Sequence, residues 1–196
     1  MSTNLEIEFK NLLSQTEYEN LFNFFTCDKS MMQSQKNIYF DTVEKELQLI
    51  QSALRVRIKN ETYELTLKIK DPKGAIEINQ MITKADYFQL LKDNVLIDGI
   101  VYQELIKLKI TPSKLIPLAD LTTNRIDFPY KGGRLFLDES FYGEFVDYEV
   151  EYEALDYEKG LEVFKNFLVQ HKIPLREAEP KIRRAQRAIN KKDRMI

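Results

Sequence analysis

From its first residues the chain alternates apolar and charged positions: Leu5, Ile7 and Phe9 are separated by Glu6 and Glu8 and followed by Lys10. Successive side chains of an extended strand point to opposite faces, so this alternation predicts a half-buried strand over residues 5–12. The same period of two predicts strands at 35–41, 47–51, 53–59, 63–70, 76–82, 121–128, 134–141 and 144–154. Helical signals lie between and after them. Ser14-Gln15-Thr16-Glu17 has the Ser-x-x-Glu spacing of a capping box and places Tyr18, Leu21, Phe22 and Phe25 on one face. Thr83-Lys84-Ala85-Asp86 opens a second helix that buries Phe88, Leu91 and Val95. Val101, Leu105 and Leu108 suit a short third one, beyond which Pro112 and Pro117 interrupt. A fourth starts at Asp156, aligns Leu161, Phe164 and Leu168, and ends beside His171, where a cation favours the helix dipole. Pro180 suits the first turn of a last helix over 180–192.

Strands joined by short loops predict an antiparallel sheet, because parallel crossovers need an intervening helix, and the class is α+β. No repeat, low-complexity tract or Pro/Gly/Ser-rich linker divides the 196 residues, so one domain over 1–196 is expected.

Composition narrows the chemistry. Twenty-nine Lys and Arg against 31 Asp and Glu give a net charge of −2, with a pI of about 5.7, which argues against a nucleic-acid coat; anion binding must be local. Nothing approaches the roughly 20 apolar residues of a membrane span, and the charged N-terminus does not read as a signal peptide. The one cysteine, Cys27, leaves no disulfide or Cys cluster, and a reducing, cytoplasmic setting is expected. A single histidine excludes a His-rich metal site and an H-E-x-x-H protease. The six glycines form no glycine-rich phosphate loop, so side chains must hold any phosphate.

The strands share one plan. Arg55, Arg57 and Lys59 oppose Leu54, Val56 and Ile58; Thr66, Lys68 and Lys70 oppose Leu65, Leu67 and Ile69. Arg134, Phe136 and Asp138 oppose Leu135 and Leu137, and Glu149, Glu151 and Glu153 oppose Tyr148, Val150 and Tyr152. A sheet with one face in water produces such alternation without any function. Here, however, sign is segregated by strand, whereas a solubilising surface intersperses both signs. Curled into a barrel of about eight strands, the charged face becomes a lumen wide enough for one small ligand. Arginines there suit phosphate oxygens, and carboxylates suit Mg²⁺ or Mn²⁺. Like charges so enclosed predict that an anion and a divalent cation bind together.

These motifs carry a family resemblance. Glu6-Ile7-Glu8-Phe9-Lys10 resembles the E-x-E-x-K signature of the CYTH superfamily, the triphosphate tunnel metalloenzymes. Arg55-Val56-Arg57 resembles its R-x-R strand, Leu65-Thr66-Leu67-Lys68 its L-T-x-K strand, and Asp147-Tyr148-Glu149-Val150-Glu151 its late E-x-E strand, in the family's order. Tyr39-Phe40-Asp41-Thr42 is similar to another recurring stretch, and the whole chain looks most like the small bacterial members. The resemblance implies an eight-stranded antiparallel tunnel with flanking helices. In it Lys10, Arg55, Arg57, Lys68 and Arg125 contact phosphates, and Glu6, Glu8, Glu149 and Glu151 form the metal face, with Asp138 at an acidic position ahead of the late glutamates. Glu8, Lys10 and Arg57 form the implied catalytic set, while Lys70 and Glu153 continue two strands in phase. Where the family often has a Ser-Lys or Thr-Lys pair at its last helix, this chain has Pro180-Lys181 and then Arg184 on the same face, and with Lys70 these two complete the implied substrate contacts. The other basic residues there, Arg183, Arg187, Lys191, Lys192 and Arg194, read as a solvated face and tail.

The implied reaction is metal-dependent hydrolysis of a small triphosphate, inorganic tripolyphosphate foremost because no base or thiazolium pocket is legible. Phosphoryl transfer needs positioning and charge neutralisation rather than a nucleophilic side chain. Thiamine triphosphatase, adenylate cyclase and a non-catalytic polyphosphate or nucleotide binder are the alternatives; no nucleic acid or membrane is expected as partner, and a homodimer is left open.

Overall fold

A computed structural model describes residues 2–193, with side chains through residue 189. Eight strands carry the alternation: β1 (Ser2–Leu13), β2 (Gln33–Asp41), β3 (Ala53–Lys59), β4 (Thr62–Asp71), β5 (Gly74–Ile82), β6 (Ile116–Tyr130), β7 (Gly133–Tyr142) and β8 (Phe145–Ala154). They close into a barrel in the order β1-β5-β4-β3-β2-β6-β7-β8, antiparallel at every junction. Closure removes every sheet edge and turns the charged face inward.

The apolar faces point outward and are covered by helices. Leu54 and Val56 of β3 and Leu65 and Leu67 of β4 are fully buried under α3 (Lys84–Asp93) and α4 (Ile100–Lys107), which contribute Leu90, Val101 and Leu105. Across the barrel, Leu135, Leu137 and Val150 are buried under α1 (Gln15–Phe24) and α5 (Tyr157–Gln170), which add Leu21, Phe164 and Phe167. Each such side chain contributes about 1.5–3 kcal/mol by leaving water. α5 packs so closely that a Cβ at Gly160 would collide with Ala154 and the Phe9 ring. The expected capping box of Ser14 with Glu17 forms, and Thr83 with Asp86 makes a second. No helix among the described residues is long and apolar enough to cross a membrane.

Four expectations are corrected. Residues 47–51 are not a strand: Glu46–Leu49 form the short helix α2. The cause is Asp41, whose buried carboxylate accepts hydrogen bonds from the backbone N–H groups of Thr42 (2.8 Å), Leu47 (2.9 Å) and Gln48 (3.0 Å). Three satisfied donors outweigh the strand propensity of a short apolar run. On α3 the buried pair is Tyr87 and Leu90, while Phe88 and Val95 are exposed. Tyr87 packs on Tyr63 of β4 at 5.3 Å, and Asn94 ends the helix in the left-handed region before Val95. β6 starts earlier than residue 121 and includes Pro117, which a bulge opposite Tyr39 and Phe40 accommodates. His171 does cap α5, but its ring packs 4.6 Å from those of Phe24 and Phe167, and burial pushes its pKa down. Burial and ring packing thus disfavour the cationic form there.

Removing the Asp41 carboxylate strands three backbone donors. Asp41→Ala is therefore expected to lower unfolding free energy by about 1–3 kcal/mol in urea titrations; a change within about 0.5 kcal/mol, the range of an ordinary surface substitution, would refute this role.

Candidate active site in the barrel tunnel

The inward residues enclose a cavity of about 510 Å³. Strand register decides which charges meet. On one side β1 and β8 pair Glu8 directly opposite Glu153 and Lys10 opposite Glu151. On the other, β3 lies between β2 and β4, so that Arg55 faces Tyr39 and Thr66 while Arg57 faces Asn37 and Glu64. Lys68 faces Glu77 across β4 and β5, and Arg125 faces Asp138 across β6 and β7. Carboxylates thus concentrate on β1 and β8 and cations on β3 and β4, with Lys68 and Arg125 reaching from one set to the other.

The acidic residues divide into two groups. In the first, oxygens of Glu6, Glu8 and Glu153 lie within 4.8 Å of one another. Lys68 pairs with Glu6 and lies 3.8 Å from Glu8, which also accepts from Lys10 at 2.7 Å. Burial opposes ionisation of Glu8, yet Lys68 and Lys10 hold its pKa down at about 2. Burial together with Glu8 raises Glu6, and burial with Glu6 and Glu8 pushes Glu153 up to about 7. Like charges directly opposite each other destabilise a strand pair unless a cation intervenes. The donors are all carboxylate oxygens, the ligand type that hard divalent cations prefer, so the trio fits Mg²⁺ or Mn²⁺.

In the second group the chain supplies more cations of its own, Arg125, Lys181 and Arg184. Asp138 faces Glu149 in register, and Glu151 is the next inward residue of β8. The Arg125 guanidinium grips Asp138 with two hydrogen bonds (2.7 and 2.6 Å), lies 4.4 Å from the Phe136 ring centroid and also reaches Glu151. Helix α6 (Lys181–Asp193) provides the rest: Lys181 reaches Asp138 (2.8 Å), Glu149 (3.3 Å) and Glu151 (2.5 Å), and Arg184 pairs with Asp147 (2.8 Å) and Glu149. Despite burial, Arg125 and Lys181 hold Glu151 well below the carboxylate range. The helix is seated by Ile182, Ala185 and Ala188 against Tyr39, Ala119, Leu121 and Tyr142.

Among the basic residues, burial first and then Arg55 and Arg125 depress the Arg57 pKa to about 10, more than Glu64 restores. The Nε of Arg55 is buried without a hydrogen-bond partner among the described residues. Both features fit an incoming anion.

Of the residues expected at the site, Glu6, Glu8, Lys10, Arg55, Arg57, Lys68, Lys70, Arg125, Glu151 and Lys181 line the tunnel. Asp138, Glu149 and Arg184 do not; they form the network behind Lys181. Glu153, only an in-phase continuation in the sequence, joins Glu6 and Glu8. Of the basic residues read as solvated, Arg183 lines the tunnel mouth and Arg187 pairs with Glu179. The side chains of Lys191 and Lys192, and all of Arg194, lie outside the described residues. Sequence reasoning missed Glu77, which lines the tunnel 3.5 Å from Lys68 and 3.9 Å from Arg55. Its signal was present, a lone carboxylate between Ile76 and Ile78. The neutral liners Gln35, Asn37 and Tyr39 were also missed.

The CYTH domain family profile matches residues 4–185. A Bacillus subtilis protein named as a candidate triphosphatase, YjbK, is 36% identical over 184 residues, covering 94% of this chain and 95% of its own. The crystal structure of a Bacillus halodurans protein described as a candidate adenylate cyclase superposes with a TM-score of 0.91 at 33% identity, over 94% of this chain and 98% of that one. HpAC1 from Hippeastrum, a candidate adenylyl cyclase described as having a dominant triphosphatase activity, shares the fold with a TM-score of 0.73 at 22% identity, over 94% and 96% of the two chains.

A carboxyl whose pKa is raised on folding stabilises the fold below its unfolded value and loses that contribution as pH rises through its folded one. For Glu153 that window runs from the ordinary carboxylate range to about 7. With EDTA present, Glu153→Gln is expected to flatten the fall in Tm between about pH 5 and 8 relative to the unsubstituted protein; parallel profiles would contradict the assignment.

Proposed function

The chain belongs to the CYTH domain family, and from that premise we propose that it hydrolyses a small triphosphate, inorganic tripolyphosphate before others, with Mg²⁺ or Mn²⁺ held by Glu6, Glu8 and Glu153. The observation that carries this reading is the apposition of a carboxylate trio and a surplus of half-buried cations within one 510 Å³ tunnel. Arg55, Arg57, Lys68 and Arg125 would bind the phosphate oxygens, with Lys10 beside Glu8, Lys181 beside Glu151 and Lys70 further along its strand. A divalent cation on the trio would neutralise phosphate charge as a Lewis acid. Arg57 and Lys10 would hold the triphosphate in line and stabilise charge growing on the leaving diphosphate as water displaces it from the terminal phosphorus. The uncharged tunnel face of β2 offers no aromatic stack beyond Tyr39 for a base, which favours a bare phosphate chain.

Phosphate release from tripolyphosphate, ATP and thiamine triphosphate, each with Mg²⁺, Mn²⁺ or EDTA, tests the proposal. Tripolyphosphate turnover should require metal. Glu8→Gln should lower kcat by roughly 10²-fold or more without loss of folding, and Arg57→Ala should raise KM and lower the rate. No release from any of the three, or release undiminished by EDTA, would overturn it; diphosphate and cyclic nucleotide from ATP would indicate the cyclase instead.

A further inference from the structure

The tunnel cations are held in different ways. Arg125 is gripped by the Asp138 carboxylate and reaches Glu151 as well. Arg57 has its nearest carboxylate, Glu64, at 4.0 Å, and its Nε instead donates to the amide oxygen of Asn37 at 3.3 Å. Asn37 is 3% exposed and directly opposite Arg57 in the β2–β3 register. On its tunnel face β2 presents only uncharged side chains, Gln35, Asn37 and Tyr39.

We propose that Asn37 is a positioning residue for Arg57, fixing the guanidinium through Nε so that its terminal nitrogens face an anion in the tunnel with their charge uncancelled. The inference rests on the reading of the tunnel as a triphosphate site. A guanidinium has five N–H donors in a rigid fork, and anchoring it at Nε leaves the two-pronged end for phosphate. A carboxylate at position 37 would anchor equally well but neutralise the charge the substrate needs. With no acceptor there, repulsion from Arg55 and Arg125 would drive the side chain toward Glu64. A neutral amide meets both requirements, orientation and retained charge.

The test compares Asn37→Ala and Asn37→Asp in steady-state tripolyphosphate hydrolysis and in calorimetric binding of tripolyphosphate under EDTA. Asn37→Ala is expected to raise KM and Kd roughly tenfold while leaving the affinity for Mn²⁺ alone unchanged. Asn37→Asp, close in shape and an acceptor still, is expected to weaken binding at least as much. In an Arg57→Lys background, which lacks the Nε–H fork, Asn37→Ala should add nothing further. Wild-type affinity in Asn37→Asp would show that shape alone matters and overturn the proposal, as would an undiminished Asn37→Ala effect beside Arg57→Lys. Tripolyphosphate binding that is insensitive to either variant overturns this inference alone, whereas a wild-type protein that binds none overturns the tunnel reading and this one with it.

Discussion

Glu8 and Glu153 face each other across β1 and β8 with Glu6 beside them, inside a barrel whose closed register gives the strands no freedom to part. Slipping any strand by one residue would put its charges into the apolar layers and its leucines into the tunnel. The outer cores under α3 and α4, and under α1 and α5, therefore lock the charged interior as firmly as they stabilise the fold. Packing outside and electrostatic conflict inside follow from one alternation.

The molecule settles that conflict in two ways. Around Asp138, Glu149 and Glu151 it supplies Arg125, Lys181 and Arg184 and closes the network on itself, tying α6 to the barrel wall. Buried ion networks of this kind contribute little net stability against an apolar alternative, but breaking one partner is costly, so their effect is to fix geometry. Around Glu6, Glu8 and Glu153, and around Arg55 and Arg57, compensation is incomplete: a carboxyl is pushed to about 7, an arginine is depressed to about 10, and a buried guanidinium nitrogen has no partner among the described residues. Those residual imbalances, opposite in sign, are the ground for proposing that a cation and an anion arrive together.

Much of this was legible in the sequence, because period two is a strong signal when one face is apolar and the other charged. The in-order E-x-E-x-K, R-x-R, L-T-x-K and late E-x-E strands resembled one family, and the barrel bears that out. What escaped depended on contacts distant in sequence or on phase. Residues 47–51 read as a strand because the cap that folds them comes from Asp41, and α3 chose Tyr87 over Phe88 because Tyr63 was waiting on β4. Which carboxylates would gather could not be read without the β1–β8 register, which brings Glu153 to Glu8, or without α6, which takes Asp138 and Glu149 for Lys181 and Arg184. Glu77 was visible as an inward position, but its place between Lys68 and Arg55 required the closed barrel.

The central claim is that the two sets of charges bind their ligands jointly, and coupling of this kind is reciprocal. The most direct measurement is the affinity of the protein for Mn²⁺ by titration, alone and with a methylene-bridged, non-hydrolysable triphosphate analogue, corrected for metal bound by the free analogue. Incompletely compensated charges of opposite sign predict that the analogue tightens Mn²⁺ binding by about tenfold or more, roughly 1.4 kcal/mol of coupling. Equal Mn²⁺ affinity with and without the analogue would contradict it.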